Sequence, residues 1–171
     1  IMEEDMTILG CITKYNASDT RPYVESIEQT GFKGRKVMLV YDVPQETIDY
    51  LKSKGWDLFG GELQQHIILQ RFRDLYKILG SEIKGTVIWT DVKDVIYQKD
   101  PTDWIDLNME EDILSFSECI KFKDDPWACV NAGTSFPMEW EWLQNETSYC
   151  AGTIVGDACY LRDLFIDIYR W

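Results

Sequence analysis

The chain has 171 residues, a length that suits one domain, alone or as part of a longer protein. Its 45% hydrophobic and 27% charged residues exclude disorder and fibres, and 17 Lys and Arg against 30 Asp and Glu leave a formal charge of -13. Such a surface repels phosphate backbones and anionic lipid, so nucleic acid is excluded as a general partner, and an anionic small molecule needs a local cation or a bound metal.

Met6 to Thr13 (MTILGCIT) predicts a buried strand that ends in the polar loop Lys14 to Asp19. Thr20-Arg21-Pro22 predicts a helix start, with Asp19 or Thr20 as cap and Pro22 in the first turn. Tyr23, Val24, Ile27 and Glu28 continue it at helical spacing, and Gly31 and Gly34 end it. Arg35 to Tyr41 reads as a second strand, and Asp42-Val43-Pro44 turns into a helix that ends at Gly55. Trp56 to Phe59 is a third, short strand closed by Gly60-Gly61. From Gln64 to Leu79, apolar residues recur every three or four positions, the period of an amphipathic helix. Thr86 to Thr90 (TVIWT) predicts a fourth strand, apolar on both faces, with further strands at Val95 to Tyr97, Asp112 to Phe116 and Ala151 to Val155. Between them Glu118 to Thr147 is Trp-rich and poorly periodic, which predicts a long functional loop. A last amphipathic helix runs from Tyr160 to Trp171. Strands alternating with helices point to an α/β domain over residues 1–171, with a mostly parallel central sheet flanked by helices.

No apolar stretch reaches the ~20 residues that cross a bilayer. The start, Ile1-Met2-Glu3-Glu4-Asp5, is acidic where a signal peptide is basic. Cysteines 11, 119, 129, 150 and 159 are odd in number and show no CxxC spacing, so they read as free or buried thiols. A cytoplasmic, reducing location is the expectation, and the sequons at Asn16 and Asn145 read as chance.

The chemistry concentrates where the apolar strand Val87-Ile88-Trp89-Thr90 runs into Asp91 and Asp94. Ligands of open α/β sheets sit at the carboxyl ends of strands. Two carboxylates there, in a chain with one histidine, favour a hard divalent cation, Mg²⁺ or Mn²⁺. The other reading makes Asp91 a turn cap and Asp94 a solvated loop acid. His66 has no second histidine to form a ligand set and reads as structural.

The run IWTDVKDVIYQKDP resembles the aspartate-motif segment of GT-A (Rossmann-like) glycosyltransferases, and CAGTIVGD (Cys150 to Asp157) is similar to the small-residue turn of that superfamily. The order of elements also agrees, and the likeness looks closest to small soluble transferases of large algal viruses. The spacing Asp-x-x-Asp departs from the commoner Asp-x-Asp and leaves open which acid binds the metal. The resemblance implies a UDP-sugar donor, a glycan or glycoprotein acceptor, and Mn²⁺ (or Mg²⁺) on Asp91 and Asp94. It implies base and ribose contacts at Thr13, Lys14, Tyr15 and Asp42. It further implies a phosphate donor at Arg71, with Arg73 or Lys93 as substitutes, a donor-sugar contact at Gly152, and a carboxylate for the chemistry at Asp157, with Glu118 and Asp125 as alternatives. Trp127, Trp140 and Trp142 are candidates for stacking on sugars. If the chain is viral, its location is the host cytoplasm. The competing readings are a sugar-phosphate nucleotidyltransferase, which normally carries a glycine-rich loop after strand one that TKYNASDTRP lacks, and a non-catalytic carbohydrate-binding module.

Overall fold

The computed structural model describes residues 5–170, so residues 1–4 of the acidic start and Trp171 lie outside the described residues. These separate into two compact units, Ser115–Ile154 and the rest.

The larger unit is organised by β1 (Met6–Thr13), β2 (Arg35–Tyr41), β3 (Asp57–Gly61) and β4 (Thr86–Thr90). With β5 (Ile113–Lys121) and β6 (Thr147–Asp157), the sheet order is β3-β2-β1-β4-β6-β5. β1 pairs in parallel with β2, Thr7 opposite Arg35 through Thr13 opposite Tyr41, and with β4, Met6 opposite Thr86 through Leu9 opposite Trp89. β2 pairs in parallel with β3. Parallel strands covered on both faces need apolar side chains on both, and Met6, Ile8, Leu9 and Ile12 of β1 are all buried.

Helix α1 (Ala17–Thr30) starts three residues before the predicted Thr20 because Asn16 caps it. The Asn16 side chain accepts from the Asp19 amide at 2.9 Å, and the Asp19 carboxylate accepts from the Asn16 amide at 3.0 Å. Gly31, at φ 82°, ends the helix in a left-handed turn that a side chain would resist. α2 (Gln45–Ser53) and α3 (Ile67–Ile78) follow, then α4 (Thr102–Asn108), which the sequence reading did not anticipate.

The two faces of β4 carry separate aromatic clusters. On one, Trp89 meets Phe72 of α3 and Phe165 of α7 (Ala158–Arg170), with ring centroids 6.5 and 6.0 Å away, and Phe72 lies 5.3 Å from Phe165. On the other, Tyr23 of α1 packs against Trp56 and Tyr97 at 5.9 and 5.8 Å. Truncating a buried ring of this kind costs about 3–5 kcal/mol, so these clusters anchor the helices to the sheet.

Two expectations fail here. Val95 to Tyr97 is not a strand, because the Tyr97 amide donates to Ser26 Oγ at 3.0 Å instead of to a neighbouring strand. Residues 118–147 are not an irregular loop. β5 runs on to Lys121, a short 3₁₀ turn covers Phe122–Asp124, and α5 (Pro126–Ser135) and α6 (Trp140–Leu143) follow. Asp125 caps α5 through the Trp127 amide at 2.9 Å, with Pro126 in the first position, where its missing N–H costs nothing. Within this smaller unit the Phe122 amide donates to the Glu146 carbonyl, and Lys123 reaches Asn145 at 2.8 Å.

Candidate functional site

Side chains alternate along β4, and that alternation builds the site. Trp89 points toward α3. Thr90 points to the other face, where its hydroxyl shares a 2.7 Å hydrogen bond with that of Tyr23. Asp91, two residues after Trp89, returns to the α3 side and meets Arg71, with Nη1 3.2 Å from Oδ1. Arg71 is held there by its neighbours: its Cζ lies 4.9 Å from the Phe72 ring centroid and 5.4 Å from that of Trp89. Its side chain is only 17% exposed, against 45% for Asp91.

A cavity of about 570 Å³ opens beside this pair, at the carboxyl ends of β1 and β4. Thr13, Tyr15, Arg71, Asp91 and Asp94 line it together with Cys11, Ile67, Val92 and Lys93. Burial, then the carboxylates of Asp91, Asp19 and Asp94, push the Tyr15 phenol above its usual range. Burial pushes the Cys11 thiol up to about 12 against the pull of Arg71. Two buried polar atoms on the lining residues, Thr13 Oγ1 and Arg71 Nε, have no hydrogen-bond partner among the described residues. Leaving such groups bare costs about 1–3 kcal/mol each, which a polar ligand would recover.

The acids fit a particular kind of ion. Among the described residues no group of three or more His, Cys, Asp or Glu could cage a metal, which argues against a closed zinc or calcium site. Asp94 is exposed and, among the described residues, makes no hydrogen bond or ion pair, while Asp91 engages Arg71 through one oxygen only. One or two carboxylates completed by water and phosphate oxygens is the usual setting of Mg²⁺ and Mn²⁺.

Lys14 and Asp42 do not line this cavity. They follow the paired residues Thr13 and Tyr41, and both are held at positive φ, 58° and 50°. The Lys14 amide donates to the Tyr41 carbonyl at 3.0 Å, and Asp42 accepts a long 3.5 Å contact from the Leu63 amide. Non-glycine residues in this conformation carry strain of about 1–3 kcal/mol each and cluster at functional sites. Arg73 turns away to Asp74 at 3.0 Å, in a second cavity of about 310 Å³. There Asp74 also accepts from the Tyr41 hydroxyl at 2.7 Å, Gln70 at 3.4 Å and Lys77 at 3.4 Å, so the charges are already paired. His66 caps α3 through the Ile68 amide at 3.4 Å. Gly152 lies on β6 in the smaller unit.

Asp157 requires a correction. Its carboxylate caps α7, accepting from the Cys159 amide at 2.8 Å. The next amide, of Ala158, donates to the carbonyl of Gly85, which precedes β4. Asp157 therefore sits at the amino end of β4, while Asp91 follows its carboxyl end, six residues after Gly85 and roughly 20 Å away at ~3.3 Å per extended residue. The sequence reading also passed over Cys11, Ile67 and Val92 as lining residues. Their apolar character gave no signal beyond core packing.

No protein-family model matches the chain, and no curated protein matches it. Solved structures do. The glycosyltransferase GlyE of Streptococcus pneumoniae is 18% identical with a TM-score of 0.56, over 96% of this chain and 38% of that one. The galactosyltransferase LgtC, crystallised with donor and acceptor sugar analogues, is 13% identical with a TM-score of 0.58, over 96% and 65%. The mannosyltransferase PcManGT from Pyrobaculum calidifontis, in complex with GDP-Man and Mn²⁺, is 12% identical with a TM-score of 0.56, over 94% and 46%. The chain thus spans between 38% and 65% of the length of these structures. A likeness to viral transferases gains no support from them. Among the described residues no helix is long and apolar enough to cross a membrane. The α/β architecture, with its mostly parallel six-stranded sheet, is that of the GT-A glycosyltransferases.

Proposed function

We propose that the chain binds a nucleotide diphosphate sugar in the Arg71–Asp91 cavity and serves a glycosyltransferase that passes the sugar to a glycan or glycoprotein hydroxyl. The observation that carries this reading is the pairing of Arg71 with Asp91 beside the exposed Asp94, at the carboxyl end of β4 in a GT-A fold. The donor we favour is a UDP-sugar, from the resemblance of the aspartate segment.

In the transfer, the bond between the anomeric carbon and the diphosphate oxygen breaks while the acceptor hydroxyl oxygen bonds to that carbon and gives up its proton, which the departing diphosphate takes. Negative charge builds on the departing diphosphate. Arg71, stacked and largely desolvated, would donate from its guanidinium N–H groups to that charge. Asp91 and Asp94 would hold Mn²⁺ or Mg²⁺, which when bound supplies Lewis-acid stabilisation of the diphosphate. Thr13 offers a hydroxyl with no partner among the described residues, and Tyr15 offers an aromatic face for the base. Lys14 and Asp42, at the strained ends of adjacent strands, are the candidates for contacts to the ribose. Five free cysteines support a reducing, cytoplasmic setting.

A nucleotidyltransferase needs a glycine-rich loop after β1, and here only Lys14-Tyr15-Asn16 joins β1 to α1. A carbohydrate-binding module gives no reason for two acids at the end of a buried strand. The test titrates UDP-sugar and uridine by calorimetry, each with Mn²⁺ and again with EDTA. Chelation should weaken UDP-sugar binding at least tenfold and leave uridine almost unchanged, because only the diphosphate faces the bare carboxylates. Equal sensitivity of the two ligands, or no binding of either, refutes the proposal.

A further inference from the structure

The stretch from Asp91 to Tyr97 carries both acids, yet it has neither strand pairing nor helix to hold it. A metal site built on such a stretch needs support from elsewhere, since ligands are only as well placed as the groups that fix them. That support comes from one helix. At the start of the stretch, Thr90 is tied to the Tyr23 hydroxyl at 2.7 Å. At its end, the Tyr97 amide donates to Ser26 Oγ at 3.0 Å. Ser26 gives its own proton to the Tyr23 carbonyl at 2.7 Å, so its oxygen is left oriented to accept. The Tyr23 and Tyr97 rings meet edge to face at 5.8 Å. Both α1 residues are buried, and neither lines the cavity. The cap of this helix, Asn16, directly follows Tyr15, which does line it.

Resting on the metal reading above, we propose that Ser26 and Tyr23 are positioning residues. They clamp the two ends of the Asp91–Tyr97 segment to α1, so that one rigid helix fixes the carboxylates relative to the Tyr15 side of the cavity. Ser26 acts through the Tyr97 amide, and Tyr23 through Thr90.

A hydroxyl that only stabilised the helix would look similar in a melting curve, so the test needs a matched control. Thr30 supplies one: its hydroxyl donates to the Ile27 carbonyl at 2.7 Å and accepts from the Phe32 amide at 3.2 Å, in the same helix but away from the acidic segment. Mn²⁺ would be titrated in the presence of saturating UDP and followed by electron paramagnetic resonance. The proteins are the native chain, Asp94→Ala, Ser26→Ala, Tyr23→Phe and Thr30→Ala, each also melted in urea. Ser26→Ala should weaken Mn²⁺ about tenfold, the low end for partners that support metal ligands. Tyr23→Phe keeps the ring, and so the fold, and should shift affinity in the same direction. Thr30→Ala should stay within about twofold despite a comparable loss of stability. Native affinity in both Ser26→Ala and Tyr23→Phe, or an equal loss in Thr30→Ala, overturns the clamp while leaving the metal site standing. Absence of Mn²⁺ binding in the native chain, or its retention in Asp94→Ala, overturns the metal reading and the clamp with it.

Discussion

Gly10→Ala tests how closely the acidic segment is seated on the sheet. A methyl group built at Gly10 would lie 2.8 Å from Val92 Cγ2 and 3.1 Å from Met38 Sδ. Met38 can yield, since its thioether end is flexible. Val92 is branched at Cβ and buried, so relief has to come from its backbone, between the two acids. Ordinary contact requires a shift of roughly half an ångström, and overpacking of this kind costs about 1–3 kcal/mol. Losing a strand glycine returns about 0.5–1 kcal/mol, so the net loss should be about 0.5–2 kcal/mol. Urea melts of the native chain, Gly10→Ala, Val92→Ala and the double variant form a cycle. Because Val92→Ala deletes the clashing methyl, the double variant should be more stable than additivity predicts by about 1–2 kcal/mol. Gly10→Ala should also weaken Mn²⁺-dependent UDP binding, and the double variant should not recover it fully, since the smaller side chain seats the segment less well. Additivity within about 0.5 kcal/mol would mean that Val92 does not rest on β1, and the reasoning about the segment would fall.

Arg71→Met keeps a stem over Phe72 and Trp89 but removes the charge, and should weaken UDP about 10–100-fold, the worth of one charged hydrogen bond, while leaving uridine within threefold by calorimetry. Asp157→Ala should cost about 1 kcal/mol in a urea melt, the value of a helix cap, with nucleotide binding and turnover intact; a thousandfold loss of turnover would return it to the chemistry. Burial raises the Asp74 carboxyl, but hydrogen bonds from Arg73 and Tyr41, with the charge of Lys77, outweigh it and hold the group below the usual range. A depressed carboxylate contributes stability that is full above its unfolded pKa of about 3.9 and is lost as pH falls through the folded value. The stability gap between the native chain and Asp74→Asn should therefore shrink as urea melts move from about pH 5 to about pH 2. A constant gap would refute the ion-pair account.

The inner strands were legible as continuous apolar runs, set by burial on both faces, and the long helix α3 as a period of 3.6, set by burial on one. Asp91 was legible for the same reason: a doubly buried strand that runs into an acid marks the end of a sheet. The Val95-Ile96-Tyr97 run has strand composition, but its amide partner, Ser26, lies 71 positions earlier and no local pattern announces it. Asp157 was misread because an acid after a glycine turn looks the same whether it faces a ligand or caps a helix. The cap on Cys159 is local, but the contact that places it, from the Ala158 amide to Gly85, is tertiary. Helix α5 was missed since Pro-Trp-Ala-Cys-Val-Asn-Ala-Gly-Thr-Ser has no apolar stripe to read. Arg71 could be told from Arg73 only once Trp89 and Asp91 were known to share the face that α3 covers.

The double pairing of β1 bears on how the protein comes to exist at all. Its β2 partner is complete by Tyr41, but its other edge waits for Thr86 to Trp89, some 80 positions after Met6. During synthesis at about 5–20 residues per second, that edge stays open for seconds, offering unpaired amides and the side chains of Met6, Ile8 and Leu9 to any passing strand. Closing it pays the entropy of a long loop before any contact returns it, so docking of β4 is the slow, aggregation-exposed step. The same event brings Asp91 to Thr13 and Tyr15. A chain released before Trp89 would therefore be both sticky and unable to assemble the cavity.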